Sequence, residues 1–146
     1  MAKHISNMDQ LQAALMPTMV KMVDELAERV YETLNYFLQE YYNSYDPKSY
    51  RRQYDFLRSA VKVEPKIKGS KVTASVYIDT ESMDNYYNAT GFQVASWANR
   101  GLHGGLDTGG NTPHVWNDTM KTTIENGELL NLAIDYLKSK GFSVRN

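Results

Sequence analysis

The chain contains no cysteine, which excludes a disulfide framework, thiolate zinc sites, iron–sulfur clusters and a cysteine nucleophile together. Net charge is almost absent: 16 Lys and Arg stand against 17 Asp and Glu, a formal −1 at pH 7. No global field therefore draws the chain onto nucleic acid or an anionic membrane, and any such contact has to be a local patch. Long hydrophobic runs are missing too. The longest, Ala13-Ala14-Leu15-Met16, falls far short of the roughly 20 residues of a spanning helix, and the start lacks the basic-then-apolar form of a signal peptide. The expectation is a soluble protein with no membrane partner. No Gly-x-Ser-x-Gly elbow occurs, nor a close acidic pair in a glycosidase context, so no motif argues for an enzyme and no cofactor or metal is called for.

At 146 residues and 16.7 kDa the chain is expected to form a single domain over 1–146. A compact chain of that mass has a folded surface of roughly 7,600 Å². What is abundant is tyrosine, 11 residues beside 4 Phe and 2 Trp. Tyrosine serves cores and contact surfaces alike.

From Met8 to about Tyr42 apolar residues recur in steps of three or four, at Leu11, Leu15, Met19, Met22, Leu26, Val30, Leu34, Leu38 and Tyr41. The spacing predicts a long amphipathic helix, capped at Asn7 with Gln10, and kinked or restarted at Pro17. Asp46-Pro47 ends it. Ser59 to Ile67 and Lys71 to Asp79 read as two strands joined around Lys68-Gly69-Ser70, with Val72, Ala74, Val76 and Ile78 alternating against polar residues. Such a hairpin has to lay its apolar face on the long helix or gain strands from a neighbour.

The remainder is less regular. Ser82 is placed to cap a short turn through Tyr86 and Tyr87, and Phe92 to Arg100 reads as a helix with Val94, Ala95 and Ala98 inward. Five glycines fall between Gly101 and Gly110, so 101–111 is expected to be a flexible loop. Thr112-Pro113 has the form of an N-cap followed by proline at the first helical position. The stripe Trp116, Met120, Ile124, Leu130, Ile134 and Leu137 predicts one helix to about Lys140, with Gly127 a weak point and Gly141 the stop. The fold class is α+β: a long N-terminal helix and a C-terminal helix packed on a small antiparallel sheet.

Three constellations bear chemically competent residues. His103, Asp107, His114 and Asp118 form two His-x-x-x-Asp pairs, a type of set that binds divalent metal or performs hydrolysis, although neither pair matches an established metal motif. The glycine loop resembles a phosphate loop only in composition, without the Gly-Lys-Ser/Thr or Gly-x-Gly-x-x-Gly signature. Over 41–58, Tyr41, Tyr42, Tyr45, Tyr50 and Tyr54 interleave with Lys48, Arg51, Arg52 and Arg58, residue types that stack bases and hold phosphates. A nucleic-acid-binding accessory protein using this segment is the alternative reading. Packing of the helix end, or a protein interface rich in Tyr and Arg, is the simpler one. Glu25 and Glu28 read as part of a solvated helix face.

The order of elements and several strings resemble a family of small structural proteins of tailed bacteriophages, the head–tail joining or tail-completion group also called minor tail component. The junction Tyr54-Asp-Phe-Leu-Arg-Ser59 and the strand Lys71-Val-Thr-Ala-Ser-Val-Tyr-Ile-Asp79 carry the likeness. Ala98-Asn-Arg-Gly-Leu-His-Gly-Gly105 and Val115-Trp-Asn-Asp-Thr-Met120 are similar to the version found in phages of Gram-positive hosts. Tyr86-Tyr-Asn-Ala-Thr-Gly91 and Thr112-Pro-His-Val-Trp116 stand where better-known members carry other strings. The resemblance covers about residues 8–142. It implies a structural virion protein in the neck or tail region, present in the host cytoplasm during assembly. It further implies a homo-oligomeric ring bound to other neck and tail proteins, with DNA passing through and no specific DNA binding. Arg51, Arg52, Arg58, His103 and Trp116 are the expected contributors to subunit contacts, Trp116 with a competing place in the core.

Overall fold

In the computed structural model, residues 5–45, 54–83, 89–103, 107 and 112–144 are described. Helix α1 runs over Met8–Asn43, strand β1 over Ala60–Lys68, strand β2 over Lys71–Ile78 and helix α2 over Gly91–Asn99. Helix α3 covers Val115–Met120, a π-helical turn follows over Lys121–Glu125, and helix α4 covers Glu128–Ser139. The α+β class stands.

Helix α1 starts where the Asn7 carboxamide accepts from the Gln10 N–H at 2.9 Å. The Gln10 side chain turns back to the Ser6 N–H at 2.8 Å, one residue earlier than in a closed capping box. Pro17 does not restart the helix, which is unbroken across it. The proline and Ala13, whose carbonyl loses its donor, both lie on the exposed side where solvent takes that carbonyl. Leu34 and Leu38 are fully buried further on, with Tyr41 and Tyr42 beside them, and Phe56, Ala60, Met83, Ala98 and Val115 complete the core.

Strands β1 and β2 pair antiparallel around Gly69-Ser70, with Lys68 opposite Lys71. Between Val63 and Lys66 the register shifts by one, so Glu64 and Pro65 share a single place opposite Ala74. This is a bulge, and it holds the proline where a ladder donor is not needed. Alternation along β2 is as expected, with Val72, Ala74, Val76 and Ile78 turned toward α1 and the residues between them exposed.

Two C-terminal expectations are corrected. Thr112 does not cap a helix; helix α3 begins at Val115 with His114 as its cap. Asn99, at the end of α2, accepts the Asn117 N–H at 2.8 Å and so satisfies an open donor of α3 from a distant part of the chain. Nor is there one continuous helix to Lys140. The π turn shifts the phase, and Gly127 at φ 81° breaks the chain before α4. The buried stripe is Val115, Thr119 and Thr123, with Ile124 and Leu130 exposed. Each threonine hydroxyl donates to the carbonyl four residues back at 2.7 Å, which removes the penalty of burying it. Gly141 does stop α4: the Gly141 N–H reaches the Lys138 carbonyl and the Phe142 N–H reaches Leu137, a Schellman pair.

The accessible surface is 10,053 Å². This exceeds the roughly 7,600 Å² expected of a compact chain of this mass. Among the described residues, no helix is long and apolar enough to cross a membrane.

Candidate functional site

The expected contact residues fall in different environments. Arg51 and Arg52 lie outside the described residues, as do Lys48 and Tyr50. Arg58 is exposed at the end of the turn leading into β1. Trp116 is half-buried against the core. His103 is buried, stacked on Tyr41 with ring centroids 4.2 Å apart, and its Nε2 lies 3.0 Å from the Ser44 hydroxyl.

The tyrosine stretch is a structural junction in this chain. Tyr41 Oη donates to the Leu102 carbonyl at 2.6 Å, and Tyr42 Oη accepts the Leu57 N–H at 3.2 Å. Phe56, from the Tyr54–Ser59 string, is fully buried edge-on to Tyr41, and Tyr54 stacks on Tyr42. Base stacking needs open ring faces, and Tyr41 and Tyr42 do not offer them. The four His/Asp residues are likewise occupied. His114 donates its backbone N–H to Asp118 at 2.9 Å, and its Nδ1 is 3.1 Å from the Asn99 carbonyl. Among the described residues, no three His, Asp or Glu side chains gather as a cation site.

An ion cluster escaped the sequence reading. Lys62 of β1 reaches Asp24 at 2.6 Å and Glu28 at 3.0 Å across α1, with Glu64 at 4.0 Å. Glu28 is thus a partner of the hairpin and not simply solvated. Its signal was present in the i, i+4 spacing of Asp24 and Glu28, but the lysine comes from a strand. Hydrogen bonds to Asp24, then to Glu28, hold the Lys62 ammonium above its usual pKa of 10.5. Arg29 pairs with Glu128 at 2.5 Å and ties α1 to the first turn of α4.

What remains unfilled is apolar surface. None of the 12 residues of α4 is buried, and Leu130 is 66 % exposed. A groove of about 340 Å³ separates α4 from α1, floored by Met22, Leu26, Leu132 and Tyr136 with Glu25 and Asp135 at its edge. A second, of about 320 Å³, lies between the start of α1 and the hairpin, lined by Leu11, Leu15, Met19 and Val72 among others. Both grooves are open and mainly apolar.

No curated protein and no solved structure matches the chain. The YomN family model matches residues 7–139, a span that takes in every element from α1 to α4. That name is one of a phage-derived, SPβ-type prophage protein. The chain belongs to the YomN family and is a phage-associated protein.

Proposed function

We propose that the chain is a structural virion protein of a tailed phage, assembling as a ring in the neck or tail-completion region without catalytic turnover. The observation that carries this reading is α4. An amphipathic helix of 12 residues derives most of its stability from burying its apolar stripe, and here Leu129, Ala133, Ile134, Tyr136 and Leu137 are only half-buried within one chain while Leu130 and Leu132 are exposed. A neighbour is needed to cover Leu130 and Leu132, which are 66 % and 38 % exposed.

Membership of a phage-derived family is consistent with this reading, and the resemblance of the sequence strings to head–tail joining proteins supports the neck or tail region as its setting. Heterologous surfaces that close by rotation make rings, with DNA passing through the centre and other neck and tail proteins docking above and below. Assembly would begin in the host cytoplasm and end in the virion. The test is to delete the gene from the phage that encodes it. Filled heads and separate tails are the expected products; intact particles at the parental titre would overturn the proposal.

A further inference from the structure

The face of the hairpin turned away from α1 is cationic at its tip. Lys71, Thr73, Ser75 and Tyr77 alternate with the residues that face α1, and all four are exposed. The register sets Lys68 opposite Lys71 and Lys66 opposite Thr73, so Lys66, Lys68 and Lys71 share this outer face. Paired residues of antiparallel strands have Cα atoms roughly 5 Å apart and alternate residues of one strand about 7 Å, which crowds three lysines onto one small surface. Like charges directly opposed on a strand pair are destabilising. Nothing relieves them, since among the described residues none of the three has an ion-pair partner. Glu64, the one acidic residue between Ala60 and Ile78, leans instead toward Lys62, 4.0 Å from its Nζ. Lys62 shows the contrast: the hairpin lysine that serves the fold faces α1 and is paired with Asp24 and Glu28. A chain of formal charge −1 thus carries a segregated positive patch.

The chemistry of this face suits phosphate oxygens. Lysine ammonium groups and the hydroxyls that follow along β2, on Thr73, Ser75 and Tyr77, are the donors that hold a DNA backbone without reading its bases. All three cations are lysines, a type depleted in protein interfaces, where arginine and aromatic side chains are enriched. A lysine is a point charge without the fixed fork of arginine, and backbone contacts of that kind let a protein slide along a duplex. Such a contact asks for no open aromatic face, unlike base stacking on the buried Tyr41 and Tyr42.

We infer that the outer face of the hairpin is a contact for the phosphate backbone of double-stranded DNA. Lys66, Lys68 and Lys71 neutralise phosphates, and Thr73 and Ser75 hydrogen-bond beside them. The contact is independent of base sequence. It rests on the ring reading for the place where a duplex passes, and it names the surface turned toward that passage.

The test titrates the isotope-labelled full chain with a short duplex of mixed sequence and follows backbone amide shifts at several salt concentrations. Shifts are expected between Lys66 and Ser75, and log affinity is expected to fall against log salt with a slope of about −2 to −3, for two or three phosphates per chain. Lys66→Gln, Lys68→Gln and Lys71→Gln together are expected to weaken binding about tenfold at low salt and to flatten that slope. Their melting midpoint is not expected to fall, because an opposed pair of like charges is removed. Lys21→Gln, Lys121→Gln and Lys138→Gln remove the same charge from other exposed sites and are expected to change affinity less than about twofold. Equal losses from the two triple variants would overturn the site as a diffuse charge effect. Absence of binding at low salt would overturn it too, as would tighter binding to polyglutamate, which would assign the face to an acidic protein. A chain that binds duplex through these lysines yet is absent from virions would support the contact and overturn the neck assignment. A chain present in virions at a fixed ratio but without affinity for duplex would overturn the contact and leave the ring standing.

Discussion

His103 lies flat on Tyr41, with ring planes 15° from parallel. The stack joins the end of α1 to the segment that follows α2, and a hydrogen bond from Tyr41 Oη to the Leu102 carbonyl closes the same junction. His103→Ala is expected to lower the stability of the isolated chain by about 1–3 kcal/mol, because a buried ring and its contacts are lost. His103→Phe, which keeps the stacked face, is expected to recover most of it. Urea denaturation measures both, and an unchanged midpoint for the alanine variant would contradict the structural role.

Trp116 packs against the core from α3 while remaining half-exposed. Trp116→Ala is expected to reduce stability by about 2–4 kcal/mol, below the loss for a fully enclosed tryptophan. Calorimetry of the isolated chain decides the matter. Unchanged melting with failed incorporation into particles would place this side chain in a subunit contact instead.

Lys62 gives a pH dependence with a definite sign. Its folded pKa is raised above the ordinary 10.5, so its contribution is fully present below that pH and is lost as pH rises through the higher folded value. The stability difference between the parent and Lys62→Met is expected to be constant from neutral pH to 10.5 and to shrink above it. Guanidinium would screen the pair, so the titration belongs in urea. A difference unchanged across the whole range would show that the ion cluster contributes nothing.

Two glycines separate strain from steric exclusion. Gly127 sits at φ 81° with open space around it, and Gly127→Ala is expected to cost about 1–2 kcal/mol from the left-handed backbone alone. Gly91 has an ordinary backbone, but an added Cβ would lie 2.1 Å from the Thr80 carbonyl oxygen. Gly91→Ala is expected to cost more, about 3 kcal/mol, with a change in the near-ultraviolet dichroism as α2 shifts. The reverse order of the two would contradict the close approach of α2 to the end of β2.

Much of this fold was legible because its two longest patterns have different periods. The steps of three and four from Leu11 to Tyr41 and the alternation from Val72 to Ile78 each match one kind of element and exclude the other. The C-terminal third misled for a physical reason. Trp116, Met120, Ile124 and Leu130 form a stripe at helical spacing, but Thr119 and Thr123 bury more completely because their small branched side chains allow close packing and satisfy their own hydroxyls. A π turn leaves no mark in a hydrophobic pattern that stays in phase on either side of it.

The candidate site was less accessible to sequence reading. The places of His103 and Lys62 depend on residues far away in the chain, at Tyr41 and at Asp24. The groove edge is made by Glu25 and Asp135 from opposite ends of the sequence, and Glu25 by itself is indistinguishable from any solvated helix carboxylate. Ile67 was visible as part of a strand, but its place opposite Val72, with Lys68 opposite Lys71, follows only from the bulge at Glu64-Pro65 and the register beyond it.

The most direct test of the central claim is quantitative mass spectrometry of purified virions of the encoding phage, counting this chain against the portal subunit. A ring component of the neck is expected at a fixed small-ring ratio to the portal in every preparation. Absence of the chain from intact infectious particles would contradict the assignment.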